Sequence, residues 1–113
     1  MVRNKIKGCL FGQAVGDALG LGTEFMRTSE VVACYPNGLT DYEQIRQDRH
    51  RCRWQKGDWT DDTDMMLCIA NAIIDTGKAD VAAIARNFKK WRNERYPSGN
   101  RSAHLQCTLS CRP

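Results

Sequence analysis

No stretch of this sequence stays apolar for long enough to cross a bilayer. The longest unbroken run, residues 65–70, holds six residues, against the ~20 that a span requires. An export signal is also missing: the apolar stretch after Met-Val-Arg-Asn-Lys-Ile-Lys is interrupted by Gly12, Gln13, Gly16 and Asp17. No segment alternates at period two, so strands find no support. There is no internal repeat and no long block of like charge, and the apolar content is near the globular average, which argues against disorder. Cys-x-x-Cys does not occur, which removes the usual zinc arrangement.

What remains is an ordinary globular composition. The chain has 113 residues, 42% hydrophobic and 27% charged, enough for one small domain with a thin core. Six cysteines are many for this length. An even number in an exported chain would suggest disulfides. Here Cys9 and Cys68 fall inside helical patterns, where Cys acts as a small hydrophobe, so free thiols in a reducing cytoplasm are the expectation. His104, Cys107 and Cys111 form a loose cluster that is not expected to bind metal. The net charge of +4 is unevenly spread. Residues 1–88 carry −1, and residues 89–113 carry +5 with Glu94 as their one acid. An imbalance confined to one end is weak support for a nucleic-acid partner.

Helical spacing dominates the pattern. Ile6, Cys9, Leu10, Val15 and Leu19 predict a helix over about residues 2–19. Gly8, Gly12, Gly16 and Gly20 recur every four positions along one face of it. Each glycine costs up to ~1 kcal/mol of helix propensity relative to alanine. Close approach by another helix or by a ligand would offset that cost; Gly20 and Gly22 are read as ending the helix. A short helix capped by Thr28 or Ser29 runs to Cys34 and stops at Pro36-Asn37-Gly38. Residues 39–57 receive no assignment; their mixed charges read as a solvated loop. A third helix is capped by Thr60, with Met65, Met66, Ile69, Ala70, Ile73 and Ile74 as its apolar face and Gly77 as its end. A fourth starts at Asp80 and presents Val81, Ile84, Ala85, Phe88 and Trp91; Pro97 closes the region. The fold reads as all-α.

Two constellations carry chemistry. In Gly57-Asp58-Trp59-Thr60-Asp61-Asp62-Thr63-Asp64, four carboxylates lie within seven positions. The positive end of the helix macrodipole accounts for one or two of them. Adjacent Asp61 and Asp62 repel one another unless a cation is near, and Mg²⁺ or Ca²⁺ prefers such oxygen donors. Spacing alone leaves a metal site and a charged cap equally open. The second constellation is Gly16-Asp17-Ala18-Leu19-Gly20 followed by Glu24. Asp17 sits near the end of its helix, where an acid opposes the macrodipole. Glu24 lies in a Gly-rich loop suited to a mobile acid or base.

Together, Gly8-Cys9-Leu10-Phe11-Gly12-Gln13-Ala14-Val15-Gly16-Asp17-Ala18-Leu19-Gly20, then Glu24-Phe25, then residues 57–65 resemble the N-terminal part of the ADP-ribosylglycohydrolase family. That family includes the enzyme that removes ADP-ribose from dinitrogenase reductase. The resemblance covers residues 3 to about 97. It implies an all-α fold with two Mg²⁺ ions among the helices. It implies hydrolysis of ADP-ribose from an ADP-ribosylated protein, or of an ADP-ribose-type small molecule. Thr60, Asp61 and Asp62 match family metal ligands. Glu24 matches the loop acid implicated in catalysis in some members, and Asp17 an acid that organises the site.

The family also supplies late ligands from an Asp-x-Asp-Thr-type motif, and none follows Trp91 here. The expectation is therefore an incomplete domain over residues 1–97, with an atypical tail, disordered or foreign to the family, over 98–113. Such a chain carries about half of a binuclear site and little activity alone. Two rival readings stay open. One is a non-catalytic ADP-ribose-binding or structural fragment that self-associates through uncovered helix faces. The other is a small nucleic-acid binder using residues 46–56 and the tail, which a steep salt dependence would reveal. Neither a membrane nor a nucleic acid is the expected partner.

Overall fold

The computed structural model describes residues 1–95, and among them every regular element is helical. Four α-helices, α1 (Val2–Gly20), α2 (Thr28–Cys34), α3 (Asp61–Thr76) and α4 (Val81–Arg95), are joined by turns. Two single 3-10 turns, Tyr42–Gln44 and Arg51–Arg53, punctuate the long connection between α2 and α3. No helix among the described residues is long and apolar enough to cross a membrane. The tail at 98–113, with the His104, Cys107 and Cys111 cluster, lies outside the described residues, as does Pro97.

The best-defined unit is the α3–α4 hairpin. Gly77 ends α3 in the left-handed conformation at φ +68°, with its N–H on the Ile73 carbonyl at 2.8 Å. A side chain is disfavoured there, and glycine is not. Asp80 then caps α4 by accepting the Ala83 N–H at 3.0 Å. The helices run antiparallel, because partners climb one as they descend the other. Asn87 donates to the Cys68 carbonyl at 3.0 Å, and Trp91 and Arg95 both reach Asp64. Ala72 and Ala83 are buried, and small side chains on both helices let the backbones approach.

The second unit is the irregular segment wrapped on the end of α1. Leu21, Tyr35 and Ile45 are its buried apolar residues. The Tyr35 hydroxyl donates to the Gly22 carbonyl at 3.0 Å and accepts the Arg46 N–H at 3.2 Å, tying three parts of the chain together. Gly22 is needed here for space rather than for ending a helix. A Cβ on it would overlap the Leu39 side chain and lie 3.2 Å from Ile45 and from the Leu19 carbonyl.

Four expectations need correction. The cap of α2 is Arg27, not Thr28 or Ser29; its N–H is held by the Glu30 carboxylate at 2.6 Å. The glycine face of α1 meets no helix, since a Cβ at Gly8, Gly12, Gly16 or Gly20 would find nothing within 4 Å among the described residues. The apolar face assigned to α3 is largely uncovered: Ile69, Ile73 and Ile74 are exposed, and the α4-facing side carries Asp64, Cys68 and Ala72 instead. Cys9 likewise is exposed rather than packed. No disulfide joins Cys9, Cys34, Cys52 or Cys68.

These contrasts give a paired test by chemical denaturation. Gly22→Ala should lose ~1–2 kcal/mol, because buried Ile45 cannot move aside. Gly12→Ala, in the open, should gain ~0.5–1 kcal/mol from helix propensity.

Candidate active site

The site is built where α1 ends beside the start of α3. Asp17, one turn before the end of α1, turns its carboxylate to the first turn of α3. Its Oδ2 accepts the Thr60 N–H at 2.8 Å and the Thr63 N–H at 3.0 Å. The Thr60 hydroxyl donates to Oδ1 at 2.6 Å, and the Thr63 hydroxyl to Oδ2 at 2.6 Å. An N-terminal helix turn leaves backbone N–H groups without intrahelical partners. Asp17 satisfies two of them from a different helix. Thr60 stands at the cap position as expected, but its side chain caps nothing; the capping acid comes from 43 residues away. Asp17 opposes the macrodipole of α1 and gains from that of α3. Partial burial works against its ionisation, but the hydrogen bonds from Thr60 and Thr63 prevail and hold its pKa below the usual aspartate value.

The four acids of the 58–64 motif divide into two pairs. Asp58 accepts the Gln55 N–H at 3.0 Å and closes a turn. Asp64 takes Trp59 Nε1 at 3.1 Å, Trp91 Nε1 at 3.0 Å and Arg95 at 2.6 Å, which locks the hairpin. Asp61 and Asp62 remain, exposed and without a side-chain hydrogen bond or ion pair among the described residues. The pKa of Asp62 is raised by local desolvation and then by the charges of Asp17, Asp61 and Glu24. The charges behind desolvation in that order are all negative, and no cationic side chain among the described residues pairs with Asp62.

A cleft of about 550 Å³ opens at this point, lined by Gln13, Gly16, Asp17, Gly20, Leu21, Glu24, Thr60 and Asp62. Gly16 and Gly20 form one wall without side chains, which gives part of the glycine stripe a ligand-facing surface. The cleft brings together Asp17, Glu24, Thr60 and Asp62. Asp61 is not among its lining residues; it faces Asp62 only through its charge.

The donor type suits a hard divalent cation. Asp61 and Asp62 offer uncommitted carboxylate oxygens, and the Thr60 hydroxyl, having donated its proton to Asp17, keeps lone pairs. The donor number does not suffice. Among the described residues no three Asp, Glu, His or Cys side chains converge as a metal would need. The residues present fit part of a Mg²⁺ coordination shell, not a closed site.

Glu24 is held from the opposite side. Its Oε2 lies 2.6 Å from His50 Nε2. Arg51, only 3% exposed, donates to the Leu21 carbonyl at 2.8 Å and the Glu24 carbonyl at 2.5 Å, and pairs with Asp48. Sequence reasoning missed Gln13, His50 and Arg51. Residues 46–56 read as a solvated basic stretch, yet its Arg51 is buried. The one local signal was Asp48 three positions before Arg51; nothing local marks a contact between residues 24 and 50.

The sequence profile of ADP-ribosylglycohydrolases matches residues 1–112. The chain belongs to the ADP-ribosylglycohydrolase family. It is 36% identical over 94 residues to the uncharacterized protein YegU of Escherichia coli, covering 80% of this chain and 28% of YegU. It is 32% identical over 104 residues to the ADP-ribosylarginine hydrolase Tri1 of Serratia proteamaculans, covering 92% and 25% respectively. It is 34% identical over 101 residues to the ADP-ribosyl-[dinitrogen reductase] glycohydrolase of Rhodospirillum rubrum, covering 83% and 30%. The chain thus spans about a quarter to a third of these relatives' length. No solved structure matches it. The all-α architecture agrees with that expected of the family.

The cap geometry sets a test. Asp17→Asn keeps one acceptor oxygen where the native carboxylate has two and turns an NH₂ toward donors. The loss should be ~2–3 kcal/mol, given that hydrogen bonds to a charged acceptor are worth ~1.5–3 kcal/mol each and partial exposure discounts them. Because the pKa of Asp17 is depressed on folding, its contribution is full above the unfolded aspartate value and disappears as pH falls through the folded one. Urea melts between pH 7 and pH 2 should therefore show the two proteins converging below about pH 4.

Proposed function

We propose that this chain supplies the N-terminal part of an ADP-ribosyl hydrolase site. The reading is carried by one observation: Asp62, uncommitted, lines a cleft that also holds Glu24 and has a glycine wall, with the equally uncommitted Asp61 beside it in the chain. In it, Thr60, Asp61 and Asp62 would supply oxygen donors to Mg²⁺, and further ligands would have to come from outside the described residues. The bound ion would hold ribose hydroxyls and polarise a water. The substrate class is an ADP-ribosylated protein side chain or a related ADP-ribosyl compound. The names of the relatives from Serratia and Rhodospirillum support that class.

This chain's residues have separable tasks. Asp17 fixes the start of α3, and so sets where Thr60, Asp61 and Asp62 stand. Glu24 serves as general acid or base toward the anomeric centre or the attacking water. Gly16 and Gly20 leave room for the ligand. With part of the metal shell absent, the isolated chain should show weak or no turnover. A second reading, a non-catalytic fragment that self-associates, is favoured by the exposed Ile6, Phe11, Val15, Ile69, Ile73 and Ile74.

Thermal melts followed by circular dichroism separate these readings. For the hydrolase reading, Mg²⁺ with ADP-ribose should raise the midpoint, approaching ~2.7 kcal/mol at a hundredfold excess over the dissociation constant. Asp62→Asn should invert the order. Ionised Asp62 is disfavoured by the fold, so the variant should melt higher than the native chain at pH 7 in EDTA and should not respond to Mg²⁺. A midpoint indifferent to both ligands, but rising with protein concentration, would instead establish the self-associating fragment.

A further inference from the structure

The Glu24 loop has no regular structure of its own to hold it. Residues 21–27 leave α1 through successive turns, and Phe25 adopts φ +60°, a conformation rare for a non-glycine residue. Beside the Tyr35 hydroxyl on the Gly22 carbonyl, what holds the loop comes from residues 48–53, about 26 residues after Glu24. We propose that residues 48–53 are a mount for the loop, in which His50 is a positioning residue for the Glu24 carboxylate and Arg51 for the Glu24 backbone. This rests on the reading of Glu24 as the acid or base of the site.

The geometry distinguishes the two roles. Arg51 is buried, and its guanidinium spans the loop, from the Leu21 carbonyl at 2.8 Å to the Glu24 carbonyl at 2.5 Å. Asp48 neutralises it and accepts the His50 and Arg51 N–H groups at 2.9 and 2.8 Å. Asp48 thereby shapes the turn as well as balancing its charge. Partial burial opposes ionisation of Asp48, but these contacts and the Arg51 charge keep its pKa low.

His50 acts on the side chain. An arginine guanidinium only donates, and Arg53 points one at His50 Nδ1. Nδ1 therefore accepts, and the ring carries its proton on Nε2, which donates to Glu24 Oε2 at 2.6 Å. The ring cannot easily swing away. Phe25 meets its edge at a centroid distance of 5.1 Å and Trp54 at 5.5 Å. Arg53 in turn lies 4.7 Å over the Trp54 ring. One oxygen of Glu24 is thus fixed, while Oε1 has no partner among the described residues and is left to a substrate or a water. A carboxylate with one oxygen anchored and one open is oriented for proton transfer rather than neutralised by a salt bridge.

Two readouts on the 113-residue chain test this, both without Mg²⁺ or ADP-ribose, so that they stand apart from the ligand-dependent melts. The first is the imidazole ¹⁵N spectrum, with His104→Asn used to assign His50. A single Nε2–H tautomer is expected, and it should give way to tautomer averaging in Glu24→Ala. An averaged or Nδ1–H ring in the native chain would overturn the role of His50. The second is amide exchange across residues 22–26. His50→Ala should speed it by about tenfold, while α3 and α4 amides stay unchanged. His50→Gln, whose amide can still donate to Glu24, should restore it to within about twofold. Asp48→Asn should speed the same amides without emptying the buried Arg51 site. Unaltered loop exchange in His50→Ala and Asp48→Asn would overturn the mount. So would a parallel rise in α3 and α4, because the turn would then be part of the general core.

Discussion

The carboxylate of Asp17 is the contact on which the site depends. It accepts from two backbone N–H groups and two hydroxyls of one helix turn while belonging to another helix. A side chain that caps its own helix fixes only local geometry. A cap supplied across 43 residues also fixes the position of one helix relative to another. The direction of α3, and with it the placement of Thr60, Asp61 and Asp62, is set by a polar contact. A hydrophobic face could slide by a residue at small cost. Four hydrogen bonds converging on two oxygens cannot.

This matters because the apolar core is too small to do the same work. Its buried apolar members are Ala18, Leu21, Tyr35, Ile45, Ala72 and Ala83, half of them alanine. Burying one Leu or Ile side chain contributes ~1.5–3 kcal/mol, and three alanines contribute far less. Phe11, Ile73 and Ile74 remain exposed. Polar fixtures therefore hold the described part of the molecule at three places: Asp17 on α3, Asp64 on α4, and Arg51 on the loop after α1. Each buried or half-buried charge has partners, as the cost of leaving it bare demands.

Much of this was legible in the sequence, and the limits follow from range. The ends of α3 and α4 could be read because Gly77 and Asp80 act on their own helices through local backbone geometry. The motif acids could be located but not sorted. Asp64 differs from Asp62 through Trp59 nearby and through Trp91 and Arg95, far away in sequence. The anomalous placement of Asp17 was visible as an acid at the wrong end of a helix; its resolution required knowing which other helix begins beside it. Arg51 was hidden by its neighbours, since Arg46, Arg49 and Arg53 carry the same charge and only Arg51 is buried. The apolar face of α3 misled for the opposite reason. Periodicity shows that a face is apolar, not that anything within the described residues covers it.

The two halves of the cleft are consequently supported in different ways. The side that carries Thr60, Asp61 and Asp62 stands on two helices joined by a carboxylate cap, which fixes where their backbone stands. The Glu24 side stands on irregular chain, fixed by side chains of residues 48–53 and by Tyr35 on Gly22. Loops are held at lower local stability than helices, so the same cleft pairs a rigid wall with one that can adjust. Under the hydrolase reading proposed above, this division is useful. Oxygen donors to a cation need constant geometry, because Mg²⁺ tolerates little departure from an octahedron. An acid that must meet a leaving group and then a water benefits from one anchored and one free oxygen. The unbalanced negative charge around Asp62 fits the same scheme. Arg51 pairs with Asp48 and Arg95 with Asp64, and among the described residues no cationic side chain pairs with Asp61 or Asp62, which the proposed reading gives to a cation from outside the chain.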